Sequence, residues 1–378
     1  MLQRDPADLP QHSVYVCGFP CTPFSLLRRH STKLLREPAA KPFRATVKTI
    51  KTRLPPVAVL ENVRGIRRVM NPVVSHFVKL RWYYVFVIAI DSAELGEPVK
   101  RPRYYFVLVR RDVAVIKDRQ KLAAFAKALL MAARAPRADT ISDRMLPATH
   151  PVVRGYLASR VSASRRGVSA SRRGASRGAT PKWMTRCTSF QRSEGISGVD
   201  IGMSARSDMK GLTVPRTHAQ WNLLARAHPS PNLVAELSQN VHRASVCVDG
   251  SCPTITPNGI MAVKKAGRIM VPVEKLLAHN FPLHKMPVPT DMTDKEVESL
   301  GGNTMHLTSV GLALLIGMAG VDWSASAAQV GRQPAGNAPR TEPAIYINTS
   351  APRSTGSGSK RRMPQSAARP SKAKRRSN

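Results

Sequence analysis

The stretch that indicates the fold most clearly is residues 16–25, Val16-Cys17-Gly18-Phe19-Pro20-Cys21-Thr22-Pro23-Phe24-Ser25. The strand-like run His12–Val16 leads into them, and the glycine and the two prolines predict that the strand ends in a rigid loop. Cys21 follows one of these prolines directly. A thiol on such a loop is a candidate nucleophile, because a partly deprotonated sulfur is a soft and effective attacking group.

A second stretch stands 40 residues further on and reads Val57-Ala58-Val59-Leu60-Glu61-Asn62-Val63. Its apolar run predicts a strand buried on both faces, with Glu61 and Asn62 at its end. The gap from Cys21 leaves room for a crossover helix between two parallel strands. Together the two stretches resemble the cytosine-C5 DNA methyltransferases, whose nucleophile loop has Pro-Cys followed by Phe-Ser and whose next strand ends in Glu-Asn-Val.

The first 115 residues alternate between strand and helix patterns. Strands are predicted at His12–Val16, Val57–Leu60, Tyr83–Ile90 and Tyr104–Val109, and helices at Lys41–Leu54, Pro72–Leu80 and Lys121–Ala135. Short strands separated by helices predict an α/β fold with a mostly parallel sheet, although the last two strands, joined by Gly96–Pro102, also suit an antiparallel pair. The resemblance implies a partial Rossmann-like methyltransferase sheet with a smaller target-recognition region and disordered basic segments.

The resemblance also implies a chemistry for the first two motifs. Carbon 5 of cytosine is a poor nucleophile until a thiolate adds to C6, and Cys21 would be that thiolate. Glu61 would donate a proton to N3, since a carboxyl group in a dry pocket stays protonated more readily. The base must leave the duplex to reach the site, at a cost of a few kcal/mol. The implied partner is duplex DNA, and the implied cofactor is S-adenosylmethionine, with Pro20 beside it.

A third match is Gly96-Glu97-Pro98-Val99-Lys100-Arg101-Pro102-Arg103. It is similar to the family's Gln-x-Arg-x-Arg segment after a Gly-x-Pro turn. By the resemblance, Arg101 and Arg103 hold the flipped base and order the cysteine and the acid. Val99 stands where the family usually has glutamine.

Two further matches lie in the C-terminal half. The segment from Arg268 through Glu274 to Phe281-Pro282 resembles the one that supports the target-recognition region, with Val273, His279 and Asn280 departing from the usual Arg, Gln and Gly. Gly302-Asn303-Thr304 resembles the late Gly-Asn-Ser/Thr motif that closes over the cofactor. The resemblance therefore assigns Asn303 and Thr304 to cofactor binding.

The family's first motifs, a glycine-rich loop and acidic residues that cradle the cofactor, have no match here. Only about fifteen residues precede the nucleophile loop, and Met1–Pro10 contains no glycine. Three explanations stay open: an N-terminally incomplete product of a complete enzyme, a separate chain that supplies the front half, or a decayed copy that keeps its catalytic residues. The expected function is DNA cytosine-C5 methylation. The alternatives are a non-catalytic, basic nucleic-acid-binding protein derived from a methyltransferase and a tRNA cytosine-C5 methyltransferase.

The charge of the chain favours a polyanionic partner. The 378 residues carry 59 Lys and Arg against 23 Asp and Glu, a formal charge of +36, which predicts salt-dependent binding to nucleic acid. Residues 161–174 repeat a Val-Ser-Ala-Ser-Arg-Arg-Gly unit, which predicts a disordered insert that grips phosphates or has no role. The residues predicted to bind nucleic acid are Ser25, Asn62, Arg165, Arg166, Arg172, Arg173 and Arg268.

The chain is predicted to divide into four parts. These are a catalytic subdomain at 1–116, a target-recognition region at 117–250 with the insert at about 159–180, C-terminal motifs at 251–324, and a disordered basic tail at 325–378. A hairpin is predicted at Ser245–Thr256, and helices at Pro272–His279 and Met305–Met318. Basic runs at Ser359–Arg362 and Lys372–Arg376 predict a nuclear location for a eukaryotic protein and a cytoplasmic one otherwise.

The sequence gives little support for a metal site or for a membrane-spanning segment. The spacings of Cys17 with Cys21 and of Cys247 with Cys252 are poor matches to zinc sites, so no metal is predicted. The longest apolar run, Val310–Val321, is too short to span a bilayer and predicts a buried helix.

Overall fold

The structure, a computed structural model, describes residues 5–21, 24, 35, 38–114, 116, 118–171, 180–319 and 340–347. Its strands are β1 Val14–Gly18, β2 Val57–Val63, β3 Tyr83–Asp91, β4 Pro102–Arg110, β5 Val234–Glu236, β6 Val246–Cys247, β7 Met261–Val263, β8 Arg268–Ile269 and β9 Ile345–Ile347. Its helices are α1 Lys41–Arg53, α2 Met70–Val78, α3 Arg119–Ala132, α4 Pro151–Ser171, α5 Lys182–Ser193, α6 Pro215–Ala227, α7 Pro272–Leu277, α8 Asp294–Asn303 and α9 Leu307–Ala319.

The larger sheet has the order β1-β2-β4-β3-β9. β1 pairs with β2 in parallel, through the crossover helix α1, and β3 pairs with β9 in parallel. β4 is antiparallel to both β2 and β3. The prediction of a mostly parallel sheet is therefore wrong, and the antiparallel reading of the third and fourth strands is confirmed. The reason is the short connection 92–101, which turns the chain back where a parallel pair needs a crossover.

Helices cover both faces of this sheet, which gives the α/β fold expected from the sequence. On one face, Phe43 and Ile50 of α1 and Phe77 of α2 pack against Leu60 and Phe106. On the other face, α3 and α9 pack against the alternate residues of the same strands. Gly317 of α9 permits close packing, because a Cβ there would lie 2.3 Å from the Val107 side chain.

The predicted disordered tail contains an ordered strand. Residues 345–347, β9, pair with Phe86–Ile88 at the edge of the sheet, and Ile345 and Ile347 are buried. This alternation of buried β-branched residues with an exposed tyrosine suits an edge strand with one buried face. Disorder from residue 325 is therefore wrong for 340–347, while the basic runs beyond residue 347 lie outside the described residues.

A smaller antiparallel sheet has the order β6-β5-β7-β8. It corrects the predicted hairpin: β6 pairs with β5, and Cys252 instead forms a bridge to Val99 of the larger domain. The turn at Asp249-Gly250 exists, with Gly250 at φ +80°. It redirects the chain toward Val99 because the backbone of Cys252 hydrogen-bonds to Pro98 and Lys100.

The repeat insert is in part helical. α4 runs from Pro151 to Ser171, so the expected disorder from about residue 159 is wrong up to that point. Val153 and Tyr156 pack into the core of the smaller domain and anchor the helix. Once a helix is nucleated, Ser, Ala and Arg extend it at little cost. Residues 172–179 lie outside the described residues.

Candidate active site

The nucleophile loop is tied to the strand that carries the acid. Asn62 is buried, and its side-chain amide donates to the carbonyl of Phe19 at 2.9 Å. The Phe19 ring packs against Phe24 and Phe43, with ring centroids 6.0 and 5.1 Å apart. The hydrogen bond from Asn62 and the aromatic cluster thus hold the loop that leads to Cys21, as a preorganised nucleophile requires.

Glu61 lies beside the base of the same loop. It pairs with Gly18 in the register of β1 and β2, and its Oε2 would lie 3.5 Å from a Cβ at Gly18. Its Oε1 is 2.5 Å from Nε of Arg103, and both side chains are more than nine-tenths buried. The end of β2 therefore carries a buried carboxyl–guanidinium pair next to the nucleophile loop.

Arg101 interacts electrostatically with Glu61 and Arg103 and with the thiol of Cys21. Burial is the main cause that lowers the pKa of Arg101 to about 10, and the charge of Arg103 lowers it further. Glu61 and Cys21 act in the opposite direction on the same pKa. The thiol and the carboxyl group thus both lie within electrostatic range of one guanidinium, and the structure brings all four predicted catalytic residues together.

The guanidinium of Arg101 also holds a distant segment of the chain. Its Nη2 donates to the carbonyls of Gly302 and Thr304, and its Nη1 donates to the carbonyl of Ile255. Met305 follows, with its Cε 3.3 Å from a Cβ placed on Gly18. Met305 therefore lies against β1, and the closing role of Gly302-Asn303-Thr304 stays a prediction.

Known proteins match the same part of the chain. The model of the C-5 cytosine-specific DNA methylase family matches residues 1–150. The type II methyltransferase M.NgoBI of Neisseria gonorrhoeae is 30% identical over 108 residues, which are 27% of this chain and 33% of that protein. M.MspI of Moraxella sp is 32% identical over 108 residues, 26% of this chain and 24% of that protein. Residues 1–150 of this chain are therefore similar to the C-5 cytosine-specific DNA methylase family.

Among solved structures, the S. pombe Dnmt2 methyltransferase aligns with 84% of this chain and 82% of its own, at 11% identity and a TM-score of 0.41. The matched segment spans a third or less of each type II methyltransferase relative. The similarity to the family therefore covers the N-terminal motifs, Pro-Cys, Glu-Asn-Val and Arg-x-Arg, which lie within residues 1–150.

One departure from the usual methyltransferase sequence has a backbone explanation. Asn280, where the family usually has glycine, adopts φ +62°, a left-handed conformation that asparagine tolerates better than other side chains. Its side-chain amide donates to Oε1 of Glu97 at 2.6 Å. Glu97 also accepts from Thr308 and Arg144. This buried carboxylate joins the loop before β4 to the C-terminal motifs, and sequence reasoning missed it.

A second departure creates a pair of buried histidines. His279, where the family usually has glutamine, stacks edge-on against His306 with ring centroids 5.9 Å apart. Both rings are fully buried, and neither nitrogen of His279 has a hydrogen-bond partner among the described residues. Burial and the charge of Arg101 lower the pKa of both imidazoles, that of His306 to about 4.

Arg268 has an internal partner. Both of its terminal nitrogens donate to Glu274, at 2.9 and 2.7 Å, and the pair is almost fully buried. This bidentate pair fixes the start of α7, where Glu274 also caps the helix through the Val271 backbone. The predicted contact of Arg268 with nucleic acid stays a prediction, and the contacts seen are structural.

The remaining predicted residues fall into two groups. Ser25, Arg172 and Arg173 lie outside the described residues, and Arg165 and Arg166 lie in α4, where only the backbone is described. Asn303 contacts Ser299 on the surface, and the Thr304 hydroxyl reaches only the Met305 carbonyl. Within the described ranges no cluster of three metal-ligating side chains occurs, and no helix there has the length and apolarity of a membrane span.

Proposed function

We propose that this chain methylates carbon 5 of cytosine in DNA, with S-adenosylmethionine as methyl donor. The observation that carries the proposal is the meeting of Cys21, Glu61 and Arg103 around the buried Arg101. A thiol, a proton donor and two fixed cations are the groups that addition to a pyrimidine ring requires. The match of residues 1–150 to the C-5 cytosine-specific DNA methylase family supports the same reaction.

The steps assign one role to each group. While the Cys21 thiolate forms a bond to C6, the protonated form of Glu61 donates its proton to N3, and the electrons of the C5–C6 double bond make C5 nucleophilic. Arg103, 2.5 Å from Glu61, stabilises the carboxylate that remains after the proton is given up. After C5 has gained the methyl group, it loses its proton to solvent water, the sulfur leaves C6 as a thiolate, and N3 returns its proton to Glu61. Asn62 acts at a distance by holding the loop through Phe19.

The described residues provide part of a site for the cofactor, whose chemistry is an electrophilic methyl group. Met305, which directly follows Gly302-Asn303-Thr304, lies against Gly18, beside the loop that contains Pro20. The Gly302 and Thr304 carbonyls, however, are engaged by Arg101. Among the described residues, no glycine-rich loop follows a strand in the larger sheet. Pro20, Asn303 and Thr304 would therefore form one side of the cofactor site.

A duplex that contains 5-fluorocytosine tests the reaction. Fluorine replaces the C5 hydrogen that must be lost as a proton before the sulfur can leave, so the Cys21–C6 bond persists and the adduct survives denaturing electrophoresis. We expect an adduct with the unmodified chain and the cofactor, and none with Cys21→Ser. Glu61→Gln should slow adduct formation by at least about 100-fold. Cys247→Ser, a buried cysteine in the smaller sheet, is the matched control and should leave the adduct unchanged.

The alternatives give different results in the same experiment. Strong, salt-dependent DNA binding that is equal in Cys21→Ser and unmodified protein, with no adduct under any condition, contradicts the proposal and identifies a non-catalytic binder. Faster methyl transfer to tRNA than to duplex DNA contradicts the DNA assignment and identifies an RNA methyltransferase.

A further inference from the structure

A polar cavity of about 520 Å³ lies in the smaller domain, between α5, α6 and the loop after β5. The residues that line it are Trp183, Arg186, Arg216, Gln220, Ser238, Gln239, Asn240 and Arg243. We call it the α5–α6 cavity. Its volume is in the range of small-ligand sites, and none of its lining residues belongs to the motifs of the active site.

Three arginines in this cavity have no anionic partner. Arg186, Arg216 and Arg243 make no ion pair or side-chain hydrogen bond with the described residues, and no acidic side chain lines the cavity. Arg216 stands in the first turn of α6, where the positive end of the helix dipole adds to its charge. Uncompensated guanidinium groups that converge on a concavity favour a phosphate, which they bind through paired donors.

A residue in the wall of the cavity also has an unsatisfied buried acceptor. Gln220 is only 2% exposed, and its amide nitrogen donates to the carbonyl of Gln239 at 2.9 Å. Because only the nitrogen can donate to a carbonyl, the other end of the amide is the oxygen, and Oε1 has no partner among the described residues. A buried acceptor without a donor is costly and calls for a ligand that donates.

An aromatic surface completes the wall. Trp183 is half-buried, packs against the core of the smaller domain, and lines the same cavity. Aromatic side chains beside arginines are the usual platform for a stacked base, and stacking contributes about 1–3 kcal/mol per base. The cavity therefore combines groups for a phosphate, for the face of a base and for its donor edge.

We propose that the α5–α6 cavity binds one nucleotide of the DNA substrate. Its phosphate lies against Arg216 and Arg243, its base stacks on Trp183, and an exocyclic amino group of the base donates to Gln220 Oε1. This inference rests on the proposed function, since it gives the methyltransferase a second point of contact with its DNA. It assigns base selection at that point to adenine, cytosine or guanine, which carry exocyclic amino groups.

A matched pair of double variants tests the phosphate contact. Arg216→Gln with Arg243→Gln removes two charges from the cavity, and Arg192→Gln with Arg226→Gln removes two from exposed positions on the same two helices, outside the cavity. Binding to one duplex is measured by anisotropy over a series of salt concentrations. We expect the cavity variant to bind about tenfold or more weakly and to lower the salt slope by about 1. Equal effects of the two double variants would overturn the proposal.

Two single variants test the contacts with the base. Circular dichroism first shows that each variant melts at the same temperature as the unmodified chain. Binding should quench tryptophan fluorescence in the unmodified chain, and Trp183→Phe should remove that quenching. Gln220→Met, similar in size but without the acceptor, should reduce discrimination between duplexes that differ at one base pair by about tenfold. Quenching that persists in Trp183→Phe overturns the stacking assignment, and stronger binding to structured RNA than to duplex DNA overturns the choice of ligand.

The 5-fluorocytosine adduct separates this proposal from the proposed function. If the cavity proposal alone is wrong, both double variants bind DNA equally and both still form the Cys21 adduct. If the proposed function is wrong, no variant forms an adduct, whatever its affinity. An adduct that forms normally but needs higher concentrations of the cavity variant supports both.

Discussion

Arg103 and Glu61 form a buried ion pair across two antiparallel strands, with Nε of the arginine 2.5 Å from Oε1 of the glutamate. Glu61 lies directly opposite Tyr105 in the register of β2 and β4, so Arg103 is its diagonal neighbour on the same face. Removing one member of such a pair leaves a buried charge, which costs more than the pair contributes. The pair therefore couples the stability of the sheet to the chemistry of the site.

Replacing Arg103 should affect both properties at once. We expect Arg103→Met to lower the free energy of unfolding by roughly 3 kcal/mol, measured by urea denaturation, and to abolish the 5-fluorocytosine adduct. Arg103→Met with Glu61→Leu should regain most of that stability, since no charge is left unpaired, and should still form no adduct.

The surface pair Arg137–Asp249 provides the control for that experiment. Its atoms lie 3.0 Å apart, but Asp249 is half exposed. Arg137→Met should therefore cost less than about 1 kcal/mol and leave the adduct intact. Equal losses of stability for Arg103→Met and Arg137→Met would contradict the buried-pair argument.

The hydrogen bond from Asn62 to the Phe19 carbonyl should matter more for rate than for stability. We expect Asn62→Ala to lower the unfolding free energy by about 1–2 kcal/mol and to slow adduct formation at least about tenfold, because the loop that carries Cys21 is released. Asn222 makes a comparable bond to the Arg206 carbonyl at 2.7 Å. Asn222→Ala should leave the adduct rate unchanged, and a matching loss of rate there would contradict the role of Asn62.

Local patterns were sufficient to predict most of the larger domain. Phe43 and Ile50 recur at helical spacing and are buried on the inner face of α1, and the apolar run of Val57–Leu60 is buried on both faces of β2. Cys21, Glu61, Arg101 and Arg103 belong to short motifs that resemble those of the cytosine-C5 DNA methyltransferases, and their catalytic roles stay predictions. Such features depend on neighbours close in sequence.

Long-range contacts account for what sequence reasoning missed. The contacts of Arg101 with Ile255 and Thr304 join residues 154 and 203 positions apart, and no local pattern indicates them. The segment Ile345–Ile347 is only three residues long. It forms a strand because its backbone pairs with the edge of β3. The hydrogen bonds that Glu97 accepts likewise come from Asn280 and Thr308, which lie 183 and 211 residues away in the sequence.

Gly302 should be intolerant of any side chain. A Cβ there would lie 2.0 Å from the nitrogen of Pro257, so the segment held by Arg101 would have to move. We expect Gly302→Ala to lower the melting temperature and to reduce adduct formation by at least about tenfold. Gly311 in α9 has open space around its Cβ position. Gly311→Ala should raise stability by about 0.5–1 kcal/mol, and a Gly302→Ala protein as active as Gly311→Ala would contradict the packing argument.

The buried histidines give the fold a sensitivity to acid. His306 faces Arg101 and Arg144, has its Nδ1 3.4 Å from the Ser309 hydroxyl, and lies 3.9 Å from Oε2 of Glu97. Burial and these arginines lower its pKa from 6.5 to about 4. The unfolded chain therefore binds a proton at a pH where the folded chain does not, and folding stability decreases as the pH falls from about 6.5 to about 4.

Replacing His306 should flatten this dependence. Between pH 7 and pH 5 the difference in proton binding corresponds to a loss of about 2 kcal/mol for His306, and His279, whose pKa is also lowered, adds to it. We expect His306→Gln to lose about 2 kcal/mol less than the unmodified chain over that interval, measured by urea denaturation at each pH. His284→Gln, at an exposed position, should leave the profile unchanged. If His306→Gln and the unmodified chain lose stability in parallel, the acid sensitivity arises elsewhere, because a neutral glutamine at position 306 cannot take up the proton that the imidazole accepts on unfolding.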